Sequence, residues 1–422
     1  MNAPAPSFAA ALAFWFRLGW ISFGGPAGQI AILHAELVER RRWVDEGAFL
    51  HGLNYCMLLP GPEAMQLATW LGWRLHGLRG GFAAGALFVL PSALLLAVLS
   101  ALYVRHAQLP AVEGLLLGLQ AAVLGLIVQA LWRMGRRILR TPAALVIALA
   151  ALLALAVFGL PFPLLVAIAA GCGLCIGRWR RHWLPAATHH PMAAADTQAV
   201  PRRVRVGRAL GLAAALLIAW WLPILALGLV LGPDSTAFAQ GLFFSKAALV
   251  TFGGAYAVLP YVAQQAVETH QWLTPEQMLV GLGLAESTPG PLIMVLEFVG
   301  FVGGWQHPDL ASPLASALLC AAVTVWATFV PCFLFVLPVA PWIERLRDRP
   351  LLDGALAAIT AAVVGVIANL ALWFGWHLLA DAEGPARLFI LAVAVASFLA
   401  LQRVGVAWVV LAAAAIGALI AP

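Results

Sequence analysis

The sequence predicts an all-α polytopic membrane protein built from two homologous halves in inverted topology, joined by an extra transmembrane helix. Three observations predict it. Hydrophobic residues make up 63% of the 422 positions and charged residues 10%, far from the mix of a soluble domain. Phe23-Gly24-Gly25 recurs as Phe252-Gly253-Gly254, and Pro60-Gly61-Pro62 as Pro289-Gly290-Pro291, both at an offset of 229 positions (23 to 252, 60 to 289). Basic residues, finally, fall in opposite loops of the two copies.

The chain opens on Met1 to Ser7, which carry no basic n-region and precede no small-residue cleavage site. The first apolar segment is therefore expected to stay in the mature protein. Apolar runs of crossing length follow, among them Phe82 to Val104, Val112 to Leu131 and Gly211 to Leu231. They lack the alternation of an outer-membrane barrel, so they read as helices. The repeat keeps its register through Phe14 and Phe243, Arg17 and Lys246, and Trp43 and Trp272. After an insertion around Gly304 to Leu314 the offset becomes 240, matching Pro91 to Pro331, Pro110 to Pro350 and Gly125 to Gly365. This divides the chain into a first repeat (1–180), a basic cytoplasmic loop (181–208), a linking transmembrane helix (209–237) and a second repeat (238–422).

Lys and Arg accumulate in cytoplasmic loops. The first copy has Arg40-Arg41-Arg42 where the second has Thr269-His270-Gln271, and Arg133, Arg136, Arg137 and Arg140 where the second runs Trp373 to Ala380 with only His377. At the next loop the bias reverses, with Arg105 alone in the first copy against Arg345, Arg347 and Arg349 in the second. Such antisymmetry is what an inverted repeat requires. The net charge of +6 thus reports orientation, not a nucleic-acid partner. Placing Arg40 to Arg42 with Arg74 and Arg79 on one side makes the Pro-Gly-Pro element a re-entrant hairpin and gives about nine crossings; if every element crosses fully there are about thirteen. Each half crosses an even number of times in both cases.

Broken helices point to a site. Backbone groups freed at a break cannot stay unpaired in lipid, so breaks persist where they pack in protein or line a wet cavity. Half-helix N-termini there present N–H groups to an anion. The candidate ligands are Gly24, Gly25, Pro60, Gly61 and Pro62 in the first copy, and Gly253, Gly254, Ser287, Thr288, Pro289, Gly290 and Pro291 in the second. Arg17 and Lys246, the chain's single lysine, stand at equivalent positions before the Phe-Gly-Gly breaks. They read either as two buried cations of a positive vestibule or as snorkelling side chains. Glu63 and Glu286 flank the Pro-Gly-Pro turns and read equally as proton carriers, because burial disfavours a charged carboxylate, or as ion-pair partners of Arg17 and Lys246. Glu36, Glu297 and His34 are further acidic or titratable candidates. The tryptophans, Trp15, Trp20, Trp70 and Trp73 among them, read mostly as interface belts. Cys172 and Cys175 form a CxxC with no second pair or histidine at ligand spacing, so plain packing is expected. No P-loop, HExxH or nucleophile elbow occurs in the sequence, which argues against direct nucleotide drive and against hydrolytic chemistry.

The runs FGGPAGQIA (Phe23 to Ala31), LPGPEAMQLA (Leu59 to Ala68) and TFGGAYAVLPYV (Thr251 to Val262) closely resemble the bacterial chromate ion transporter family, and the likeness covers essentially the whole chain. The resemblance implies a bacterial inner-membrane, multi-pass, cofactor-free transporter that expels chromate and confers resistance. It also implies the proton motive force as energy source and sulfate, a similar tetrahedral dianion, as competitor. A homodimer is a further expectation, and an anion channel or a sulfate-type transporter on the same scaffold is the alternative. The copies have diverged at the breaks: Glu63 faces Leu292, Gln66 faces Val295 and Glu286 faces Met57 in the alignment, so an asymmetric pocket is expected.

Overall fold

A computed structural model describes residues 6–23, 25–179, 206–252, 254–345, 350–380 and 382–420. Gly24, Gly253, Arg347, Arg349 and residues 181–205 of the expected basic loop lie outside the described residues.

Among the described residues every regular element is helical. The first half comprises α1 (Phe8–Ile21), α2 (Gly25–His34) continuing into a π-helical turn (Ala35–Arg40), α3 (Glu46–Cys56), α4 (Glu63–His106), α5 (Pro110–Ile138), α6 (Pro142–Ala156) and α7 (Phe162–Trp179). The linking helix α8 (Val206–Leu231) follows. The second half repeats the series: α9 (Thr236–Val250), α10 (Ala255–Gln264) with its own π-helical turn (Gln265–Thr269), α11 (Pro275–Ser287) and a 3₁₀ turn (Leu292–Met294) that leads into α12 (Val295–Gln306). It closes with α13 (Pro313–Val336), α14 (Pro350–Ala380), α15 (Gly384–Ala400) and α16 (Val406–Ile420). Helices α4, α5, α8, α13 and α14 are long and apolar enough to cross a bilayer.

The repeat extends to single dihedral angles. Gly61 has φ 116° and Gly290 φ 119°; Arg42 has φ 52° and Gln271 φ 53°. The inserted residues separate α12 from α13, whereas the corresponding first-half segments stay in one helix, α4, interrupted by non-helical backbone at His76 and Gly77.

Local chemistry sets the ends of the short helices. The Asp45 side chain caps α3 by accepting from the Ala48 N–H, and Thr274 with Gln277 forms a capping box on α11. Pro-Gly-Pro then stops each helix, because proline lacks the N–H that would continue it. The 11 residues of α3 rise only about 17 Å against a hydrocarbon core of about 30 Å. Asp45, before α3, meets Arg74, near the end of the first segment of α4, at 3.1 Å, so the chain enters and returns to the same mouth. The α1–α2 pair returns likewise: the Arg41 guanidinium lies 4.9 Å from the Phe14 ring and 4.8 Å from the Trp43 ring. In the second half His270 takes the place of Arg41, stacked on Trp272 at 4.3 Å with Phe243 at 5.7 Å.

Two expectations are corrected. Trp15 and Trp70 are buried, because they sit on the inner faces of the hairpin arms; Trp70 covers Gly52 of α3. Trp20 is exposed as a belt residue would be. Cys172 and Cys175 are exposed rather than packed, since α7 turns its glycine face, Gly173, onto the Gly354 backbone of α14.

The long helices interlock across the halves: α5 packs against α15 and α16, and α14 against α6 and α7. Small residues permit this closeness. A Cβ on Gly365 would collide with the Ala148 carbonyl, while one on Gly375 would meet only Leu124 at 3.9 Å. Gly365→Ala is expected to destabilise the protein by about 1–3 kcal/mol through overpacking, and Gly375→Ala to be neutral or slightly stabilising. Thermal unfolding in detergent measures the difference; equal stabilities would contradict the interlocked packing.

Candidate functional site

The helix breaks meet in two pairs, each joining one half to the other. Helix α1 ends at Ile21, and the next residue, Ser22, turns its hydroxyl back to the Leu18 carbonyl at 2.6 Å. Its repeat partner Thr251 does the same to Ala247 at 2.6 Å. Each hydroxyl satisfies a carbonyl of its own helix end, and each residue leaves its own carbonyl free to accept from elsewhere. The donor comes from the opposite half. The Gly290 N–H donates to the Ser22 carbonyl at 2.8 Å, and the Gly61 N–H to the Thr251 carbonyl at 2.7 Å. Each Pro-Gly-Pro turn is thereby tied to the Phe-Gly-Gly break of the other copy.

Side chains reinforce this crossing on one side more than the other. Gln29, 1% exposed, donates from Nε2 to the Gly290 carbonyl at 2.6 Å and to the Ser22 carbonyl at 3.3 Å. Gln66 donates to the Pro60 carbonyl at 2.7 Å. Pro289, Gly290 and Pro291 are buried, while Pro60 is half-buried. Each turn glycine also packs on the residue after a mid-helix proline of the opposite half. A Cβ on Gly61 would stand 3.1 Å from Cys332 Sγ, beside Pro331 of α13; one on Gly290 would collide with Ser92, beside Pro91 of α4.

The candidate ligands separate into two groups. Gly25 (φ 70°) and Gly254 (φ 94°) lie at the N-terminal ends of α2 and α10, and none of the described residues stands within 4 Å of where a Cβ would be on either. Pro62 and Pro291 are the N-cap residues of α4 and of the 3₁₀ turn before α12. First-turn N–H groups at such ends have no acceptor in their own helix, and the space beside them is open at Gly25 and Gly254 and filled at Gly61 and Gly290. Ser287 and Thr288 are adjacent, but their hydroxyls donate to the Leu284 carbonyl at 3.1 Å and the Ala285 carbonyl at 3.2 Å.

Arg17 and Lys246 are not buried: both side chains are exposed. The inner faces of their helices are filled by Phe14, Trp15 and Leu18 on α1 and by Phe243, Phe244 and Ala247 on α9. Nor do they pair with the acids. Glu63, the first residue of α4, lies within electrostatic reach of Arg137 of α5, without an ion pair to it among the described residues. Glu286 accepts a hydrogen bond from the Tyr256 hydroxyl and interacts with Arg133, one turn from Arg137. Glu36 pairs with Arg40 at 2.7 Å and Arg41 at 3.3 Å, and His34 with Glu46 at 2.7 Å, which places both at the hairpin mouth.

Gln29, Tyr256, Ser92, Cys332, Arg133 and Arg137 were not singled out from the sequence as parts of the site. Gln29 lies inside the first glycine motif, and the matched Pro91 and Pro331 flag Ser92 and Cys332. Nothing in the sequence joins Tyr256 to Glu286. Among the described residues no cluster of His, Cys, Asp or Glu could hold a metal ion.

Comparison with known proteins places the chain. A family model described as chromate transporter matches residues 9–174 and again 238–418. A chromate transport protein of Cupriavidus metallidurans is 28% identical over 417 residues, 99% of this chain and 94% of the relative. One of Pseudomonas aeruginosa is 35% identical over 369 residues, 86% of this chain and 80% of the relative. An uncharacterized transporter of Bacillus subtilis is 30% identical over 121 residues, 29% of this chain and 68% of its own length. No solved structure matches the chain.

Replacing Gln29 by leucine removes the donor that bridges Ser22 and Gly290, and is expected to lower stability by about 1–3 kcal/mol. Gln29→Glu is expected to be worse, because it sets a carboxylate against two carbonyl oxygens. Unchanged thermal unfolding in both variants would contradict the role given to this side chain.

Proposed function

The chain belongs to the chromate transporter family, and we propose that it is a secondary active transporter exporting chromate across the bacterial inner membrane, with sulfate as competitor and resistance as the outcome. As a family member it is a multi-pass transport protein and not an enzyme. The observation that carries the finer reading is the reciprocal bonding of the broken turns, Gly61 to Thr251 and Gly290 to Ser22. It ties the helix ends of the two copies together in two crossed pairs, which supports a site where backbone donors face a tetrahedral dianion. Gly25 and Gly254 leave room for the backbone to approach the ligand, Gly61 and Gly290 tie the turns to the opposite half, and Pro60, Pro62, Pro289 and Pro291 hold the turns. The backbone of Ser287 and Thr288 belongs to the same rims, and Gly24 and Gly253 remain candidate ligands from the sequence alone.

In this reading the halves face opposite ways. Four helices of each half (the second segment of α4, then α5, α6 and α7; and α13 to α16) cross together with α8, giving about nine crossings. Hairpins α1–α2, α3–α4, α9–α10 and α11–α12 enter part-way. Arg17 and Lys246 serve as cations at the approach rather than as ligands in a buried pocket. Glu63 and Glu286 are the titratable groups beside the turns, and Arg137 and Arg133 balance them when they are charged.

Everted membrane vesicles containing the protein are expected to take up chromate when energised, and sulfate to inhibit that uptake. Well-inserted protein that moves no chromate would sink the proposal, and conductive flux indifferent to an imposed pH gradient would make it a channel. Arg17→Ala and Lys246→Ala are expected to raise the half-saturating chromate concentration about five-fold each, near the lower end of typical coupling energies; wild-type kinetics in both would remove them from the approach. For the topology, Arg42→Cys and Gln271→Cys in a cysteine-free background are expected to react with an impermeant thiol reagent from opposite faces of the membrane. Reaction from the same face would rule out inversion.

A further inference from the structure

Glu297 stands in the first turn of α12, shortly after the second Pro-Gly-Pro turn, and is 4% exposed. Among the described residues its Oε2 has no hydrogen-bond partner. Its repeat position in the first half is Ala68, so the carboxyl belongs to one half only. Two further buried polar atoms without partners occur on the helices packed around it. The contacts of Gly300 with Thr324 and of Gly304 with Cys320 set the antiparallel register of α12 on α13. That register brings Thr328, one turn further along α13, level with the start of α12; Thr328 Oγ1 is buried and unpartnered. On α4, Tyr103 packs its ring on Phe298 at 5.3 Å, and Ser100, three residues earlier, has a buried, unpartnered hydroxyl.

The titratable groups on the helices packed against α12 are otherwise occupied or turned elsewhere. On α4 they are Tyr103, against Phe298, and Glu63, within electrostatic reach of Arg137. The remaining groups of α4 sit at its kink or its end: Arg74 on Asp45, His76 on the Pro6 carbonyl, Arg79, Arg105 and His106. On α11 they are Glu286, bonded to Tyr256, and Glu276 in the first turn. On α13, Cys320 meets Gly304 and Cys332 meets Gly61; on α9, Lys246 is exposed. No hydrogen bond or ion pair joins any of them to Glu297 among the described residues.

We propose that Glu297 is the proton-binding site that couples anion movement to the proton gradient, an inference that rests on the transport reading above. An unpaired carboxylate in a membrane core costs several kcal/mol, so the side chain carries its proton in this conformation. Because α12 runs on from the second turn through a single 3₁₀ turn, a movement of that turn on changing access moves Glu297 with it. In each cycle the carboxyl O–H bond breaks, releasing one proton to water on one side, and the carboxylate takes one proton from the other side. No electron is transferred. Thr328 and Ser100 supply hydroxyls able to solvate the charged form.

Glu297→Gln keeps the shape of the neutral acid and cannot release a proton. In vesicles it is expected to sustain chromate-for-chromate exchange while net uptake driven by a pH gradient falls about tenfold or more, with loss of chromate-evoked proton movement. Gradient-driven uptake equal to wild type would overturn the proposal. A second measurement does not depend on the anion. Dicyclohexylcarbodiimide modifies protonated carboxyls in apolar surroundings, and mass spectrometry of the purified full chain is expected to place an adduct on Glu297 that diminishes as pH rises. No adduct on Glu297 at any pH would also overturn it. A wild-type chain that moves no chromate yet takes the label on Glu297 would overturn the transport reading and leave the proton site standing.

Discussion

A lipid bilayer offers no water to a broken helix, so backbone N–H groups and carbonyls at a break are paired inside the protein or face a wet cavity. The structure meets this constraint by exchange between copies. The Gly61 and Gly290 N–H groups each donate to a carbonyl of the opposite half, Thr251 and Ser22. Neither half can satisfy its own breaks alone, and the interlocking of α5 with α15 and α16 and of α14 with α6 and α7 holds the two together at the distance the exchange needs. The family model matching twice along the chain fits the same picture: the unit is one half, and the crossing belongs to the pair.

Within that symmetric frame the copies have specialised. Gln29 bridges Ser22 and Gly290, whereas its repeat position holds Val258. Glu286 is joined to Tyr256, whereas their repeat positions hold Met57 and Ala27. Arg41 and His270 occupy the same aromatic box at opposite hairpin mouths, a permanent cation in one copy and a weak base in the other. The backbone geometry common to both copies makes the crossing, and the side chains around it differ between the copies.

Much of this was legible in the sequence, and for a physical reason. Glycine and proline at a break answer to backbone geometry, so their register survives duplication; the matched Pro-Gly-Pro turns gave the two nearly identical φ values at Gly61 and Gly290. Charged residues at helix surfaces are less constrained. Arg17 and Lys246 share a register but project from the outer faces of α1 and α9, and neither helix is amphipathic enough in sequence to reveal which face is inward. Contacts between distant elements, such as Tyr256 with Glu286 or Gly290 with Ser92, leave no local pattern and needed coordinates. Trp15 and Trp70 went to the core because hairpin arms bury an inner face that a belt reading ignores.

The crossing of the broken turns is where we propose that the anion binds. A cryo-electron microscopy map of the full chain with bound chromate tests it most directly. Density is expected between the N-terminal ends of α2 and α10, within hydrogen-bond reach of backbone N–H groups at the Phe-Gly-Gly and Pro-Gly-Pro turns. Chromate density away from these turns, with the Gly61–Thr251 and Gly290–Ser22 bonds intact and unoccupied beside them, would contradict it.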